Sequence, residues 1–141
     1  GFTYGEAAGR EPARVITFKL GGNEMMPVPL ADQVAATPKS SMFGEPDQHQ
    51  LGMQRFAENC HFCHGAFAIS GGVIPDLRWS AISASEQAWD QVVREGALEK
   101  QGMVSFSGHL TKEDTDAIRA YVIQQAWLAV ANGDATPPEG S

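Results

Sequence analysis

An all-α domain of three or more helices, preceded by an extended N-terminal strand and linker, is the fold class this sequence predicts. Three observations predict it. Apolar residues recur at near-helical spacing in three separate stretches beyond residue 47. A single alternating run, Arg14-Val15-Ile16-Thr17-Phe18-Lys19-Leu20, lies well before them. Between the two, residues 21–46 carry Pro27, Pro29, Pro38 and Pro46 among small and polar residues, the composition of an extended linker. The predicted organisation is a strand and proline-rich linker over residues 1–46, a helical domain over 47–132 and a disordered tail over 133–141.

Residues 1–13 are rich in Gly, Ala and Glu and show no periodicity. In the strand, Ile16, Phe18 and Leu20 share one face, Thr17 and Lys19 the other, and Gly21-Gly22 ends it. One strand cannot form a sheet alone. It is expected either to pair with something outside this chain or to lie against the helical domain.

The first helix is expected from Asp47, a capping residue, with Leu51, Phe56 and Ala57 inward and Gly52 four residues before Phe56. It runs into Cys60-His61-Phe62-Cys63-His64, and Gly65 then lets the chain turn away. Residues 70–77 read as a loop by their glycines and proline. A middle helix follows, capped by Ser83 or Ser85, with Trp89, Val92 and Val93 inward and Gly96 near its end. After a loop over 97–110, Thr111-Lys112-Glu113-Asp114 resembles a capping box. The last helix carries Ile118, Tyr121, Val122, Ala126 and Leu128, and runs out by Asn132-Gly133.

Two cysteines separated by two residues, with a histidine directly after the second, form the attachment pattern for a c-type haem. Each thiol adds across one porphyrin vinyl group, and the histidine falls against one face of the iron. A redox dithiol would want a βαβ context, which the chain does not offer. A tetrahedral zinc site would need further ligands at metal spacing, and there are no other cysteines. One covalent haem c on Cys60 and Cys63, with His64 as an axial ligand, is therefore the expected cofactor.

Composition narrows the partners. Ten basic and 17 acidic residues give a formal charge of −7. Nucleic-acid binders show a basic patch and anionic membranes attract basic segments, so neither partner is expected. No run of 18 apolar residues predicts a transmembrane segment. No signal peptide opens the chain at Gly1. Haem attachment to this motif in bacteria takes place outside the cytoplasm, so a mature or excised piece of a periplasmic protein is expected.

Residues 47–130 resemble a class I cytochrome c. Several details resemble the C-terminal haem domain, with its linker, of quinohaemoprotein (PQQ-dependent) alcohol dehydrogenases. The residues carrying the resemblance are Cys60-His61-Phe62-Cys63-His64-Gly65, Ser70-Gly71-Gly72-Val73-Ile74-Pro75-Asp76-Leu77-Arg78, Gly102-Met103-Val104-Ser105-Phe106 and Ile118-Arg119-Ala120-Tyr121-Val122. In that family a propeller carrying pyrroloquinoline quinone precedes the linker and the haem domain. The strand and Gly21-Gly22 resemble the end of such a propeller. The propeller itself is missing here, so the resemblance implies an electron-transfer domain that is not by itself an enzyme. Electrons would come from a PQQ-containing dehydrogenase domain and leave to a small redox protein or quinone. The alternatives are a free-standing cytochrome c and, in another class, a haem peroxidase or ligand sensor, which needs an open iron face.

Met103 is the expected second axial ligand. A thioether is soft and neutral, and His/Met ligation favours reduced iron. Met103 follows Gly102 in a loop far enough beyond His64 to reach the other face. Its family position supports the role, although Val104 stands where many cytochromes have proline. His109 or an open site is the alternative. The resemblance implies that the Pro75 carbonyl accepts a hydrogen bond from the His64 ring. Arg78 is placed either on a haem propionate, which its fork suits, or on the solvated surface. Gly52, Phe56 and Tyr121 resemble the crossing of first and last helices in class I cytochromes.

Overall fold

The helix at the C-terminal end organises the domain, and it starts where the sequence says it should. In the computed structural model, which describes residues 20–21, 37–70, 74–133 and 135, α4 spans Lys112–Ala131. Thr111 accepts the Asp114 N–H at 3.1 Å, and the Asp114 carboxylate accepts the Thr111 N–H at 3.0 Å. That reciprocal box satisfies two backbone donors that a helix start leaves orphaned. Ile118, Tyr121, Val122 and Ala126 face inward as expected. Leu128 does not: it is 47% exposed, lying beyond the helix crossing on an open groove shared with Pro46, Met53 and Phe67.

α1 spans Pro46–Asn59. Its cap is Glu45 rather than Asp47, and no side chain bonds the first N–H groups. Pro46 makes the start, because proline lacks the N–H that would go unpaired there, and Asp47 complements the helix dipole from within the first turn. Gly52 and Phe56 are the buried residues of α1, while Ala57 is exposed. The inward stripe is therefore narrower than its apolar spacing suggests, because α4 is the one long helix α1 meets and a crossing covers only a few positions. At that crossing the Phe56 and Tyr121 rings sit 5.4 Å apart, tilted by 50°.

α2 is a single turn, His61–His64. α3 covers Glu86–Val93; Ser85, one of the two expected caps, accepts the Ala88 N–H at 3.2 Å, and Ser83 lies earlier in a short 3-10 turn over Ala81–Ala84. Trp89 is buried and its indole N–H donates to the Thr115 carbonyl at 3.0 Å, tying α3 to α4. Lys112 reinforces the same corner by pairing with Glu86 and Asp116. A further 3-10 turn, Leu77–Trp79, stands within what reads as loop.

The core is one apolar cluster. Phe56, Cys60, Ala68, Trp89, Ile118 and Val122 are among its buried members, and Leu77, Ile82, Met103 and Phe106 pack against it. Among the described residues there is no strand. The predicted strand over 14–20 falls outside them except for Leu20, which is fully exposed, and the predicted tail lies outside them except for Gly133 and Ala135.

Candidate haem site

The site begins where α1 ends. The Cys60 carbonyl accepts the N–H groups of Cys63 at 3.2 Å and His64 at 3.0 Å, closing the α2 turn. Gly65 then takes φ +72°, and a Cβ there would lie 2.1 Å from the Ile69 carbonyl oxygen, so only glycine permits the exit. The turn buries Cys60 and His64, leaves Cys63 exposed, and turns His61 and Phe62 outward. Phe62 is 93% exposed, so this side chain fills no core position.

Burial sets the electrostatics. The Cys60 thiol is pushed up to about 12, first by desolvation and then by its neighbour Cys63. A redox dithiol works through a thiolate of lowered pKa, and this one is moved the opposite way. Among the described residues no group of three or more His, Cys, Asp or Glu could hold a metal ion. Burial also lowers the His64 pKa, and the Pro75 carbonyl opposes that drop. The His64 Nδ1 is buried without a partner in full hydrogen-bond geometry, so Pro75 stands near this nitrogen but does not satisfy it. Burial, the larger effect, favours the neutral ring, the form that ligates a metal.

Met103 is brought to the same place. Its N–H donates to the Leu98 carbonyl at 3.2 Å, and three residues on the Phe106 N–H donates to the Val93 carbonyl at 2.8 Å. The first bond closes a turn within the loop, the second pins the loop to the end of α3, and Met103 packs on the cluster containing Cys60. His109 is exposed, as are Met42 and Met53. Cys60 and the Met103 thioether share one apolar cluster, His64 is buried one helical turn after Cys60, and Cys63 is exposed beside it. A cysteine pair, an imidazole and a thioether are the donors haem c requires, and the residues present fit it.

Arg78 is not on the solvated surface: its side chain is only 12% exposed. Its guanidinium grips the Asp76 carboxylate, at 3.0 Å from Nε and 2.7 Å from the terminal nitrogen, and lies 4.8 Å from the centre of a Trp79 ring. Asp76 caps the turn that carries Arg78, so the pair stiffens the segment just after Pro75.

Two features were not legible in the residue pattern. Phe67 and Ala68 adopt left-handed backbone, φ 59° and 61°, immediately after the motif. Neither is glycine, asparagine or aspartate, the residues that advertise this conformation. His49, near the start of α1, bridges: its Nε2 meets the Phe43 carbonyl at 2.7 Å and its Nδ1 meets Gln124 at 3.0 Å.

Comparison with known proteins supplies the family. The family described as cytochrome C oxidase, cbb3-type, subunit III matches residues 47–122. The chain belongs to this cytochrome c family. It is also 36% identical over 117 residues to the quinohemoprotein alcohol dehydrogenase ADH IIB of Pseudomonas putida, covering 82% of this chain and 17% of that protein. The dehydrogenase subunit of alcohol dehydrogenase (quinone) from Gluconobacter oxydans is 34% identical over 81% of this chain and 15% of its own length. The 1-butanol dehydrogenase (cytochrome c) of Thauera butanivorans is 34% identical over 83% and 17%. Among solved structures, quinohemoprotein alcohol dehydrogenase ADHIIG from Pseudomonas putida HK5 superposes with a TM-score of 0.63 at 30% identity, over 82% of this chain and 16% of that one.

The cytochrome c domain thus spans about one sixth of the length of the curated relatives it matches. Its fold, its covalent haem c and its electron-transfer character follow from the family and from the residues that fit it. No described helix is long and apolar enough to cross a membrane.

Proposed function

We propose that this domain carries single electrons in the periplasm, with haem c held through Cys60 and Cys63 and ligated axially by His64 and Met103. Bound haem supplies a one-electron iron couple, and a neutral His/Met pair raises its potential. The observation that carries the reading is the packing of Met103 on the same apolar cluster as Cys60, which itself lies one helical turn before the buried His64. Each residue has a distinct task. Cys60 anchors from the buried side and Cys63 from the exposed side; the α2 turn sets their separation. The Pro75 carbonyl stands where the imidazole can turn to meet it, and the Asp76–Arg78 pair stiffens Pro75's segment. Leu77, Ile82 and Phe106 keep water from the ligand side of the cluster.

The electron donor we assign is a PQQ-containing dehydrogenase domain joined through the N-terminal linker, and the acceptor a small redox protein or quinone. The names of the relatives, all dehydrogenases several times longer than this chain, support the donor. A haem peroxidase or sensor would keep one iron face open. Spectra of the reduced protein with and without carbon monoxide separate the classes. The two spectra should coincide; rapid formation of a carbon monoxide complex would overturn the ligand pair.

A further inference from the structure

Residues 37–45 lie along the helical domain, and side chains from α1 and α4 hold them there. The Trp127 indole N–H donates to the Ser40 carbonyl at 2.9 Å. The His49 Nε2–H donates to the Phe43 carbonyl at 2.7 Å, while Gln124 donates to Nδ1 of the same ring at 3.0 Å and so fixes its tautomer. The Arg119 guanidinium lies 4.7 Å from the centre of the Phe43 ring, positioned in turn by the Ser83 carbonyl at 2.8 Å. Pro38 is buried. None of these residues belongs to the Cys60–His64 motif or to the Met103 loop, so haem ligation does not account for them.

We infer that residues 37–45 form a docked arm, clasped by Trp127, His49, Gln124 and Arg119, that sets the point from which preceding polypeptide reaches the cytochrome. Docking removes residues 37–45 from any tether, which shortens its fully extended reach by about 30 Å at ~3.4 Å per residue. Resting on the donor proposed above, the shorter tether would raise the effective concentration of the haem domain at that donor. The docking itself does not depend on that reading.

The test uses the whole haem-loaded chain in its reduced state. Haem attachment consumes Cys60 and Cys63, so a cysteine placed at the exposed Ser41 (Ser41→Cys) takes a nitroxide label alone. Its electron paramagnetic resonance line is expected to be immobilised. Combining Trp127→Phe with His49→Phe should convert most of the label to a mobile component while leaving the haem absorption bands unmoved. Trp127→Phe alone, which keeps an aromatic ring and removes one donor, should give an intermediate fraction. A mobile line before any clasp residue is changed would overturn the arm. So would an immobilised line that neither variant loosens. Altered haem bands in the double variant would place these residues in the core and overturn it as well. Because no donor domain enters the experiment, its failure is distinguishable from failure of the proposed electron donor.

Discussion

Gly52 of α1 lies so close to Ala117 of α4 that a Cβ at position 52 would sit 2.0 Å from the Ala117 carbonyl oxygen. The obstacle is backbone, and the Tyr121 Cβ closes the other side at 2.8 Å. Neither can swing away as a side-chain tip could. The crossing of the two long helices, which positions the end of α1 and hence the haem motif, therefore depends on a missing methyl group.

Gly52→Ala should lower stability by about 3 kcal/mol, the upper part of the range for overpacking, since the helix-propensity gain of alanine recovers only about 1 kcal/mol. Denaturant unfolding of the haem-loaded protein checks this. A variant as stable as the parent would mean that the helices separate freely at this point.

Asp114 predicts an acid limb of stability. Hydrogen bonds from Thr111, backbone first and then side chain, and from Arg55 hold its carboxyl below the usual carboxylate range. A depressed folded-state value contributes stability that is present above the unfolded value of about 3.9 and is lost as pH falls through the folded one. Asp114→Asn should therefore be less stable than the parent near neutral pH, with the gap closing below about pH 4. A gap independent of pH between 3 and 7 would remove the charge from the account.

Met103→Ala should abolish the weak red-region sulfur-to-iron band of the ferric protein, lower the potential and admit small ligands. Persistence of the band would move the ligand to another methionine. Met42 and Met53 are both exposed and lie ahead of the motif, which makes that outcome informative.

Removing residues 1–36 should leave the haem bands and potential nearly unchanged, because the proposed ligands and the core cluster all lie beyond residue 55. Loss of the haem environment in this truncation would make the N-terminal strand part of the cytochrome fold.

What the sequence made legible is what local chemistry specifies. The Thr111–Asp114 box and the Ser85 cap are set by residues within one turn, and the Cys60–His64 spacing is itself the signal. Gly52 was readable only through resemblance, since its partner lies 65 positions away at Ala117. Contacts of that range explain the misses. The His49 bridge was hidden because its partners, Phe43 and Gln124, come from the linker and from α4. Leu128 looked internal because helical spacing cannot say where a crossing ends. The Arg78–Asp76 pair is different in kind, a local contact between residues two apart.

The central claim is that haem is bonded to Cys60 and Cys63. Intact mass after acid–acetone extraction measures this most directly. The retained mass should equal that of the polypeptide plus one haem. Clean extraction of the haem, leaving polypeptide mass alone, would contradict the account.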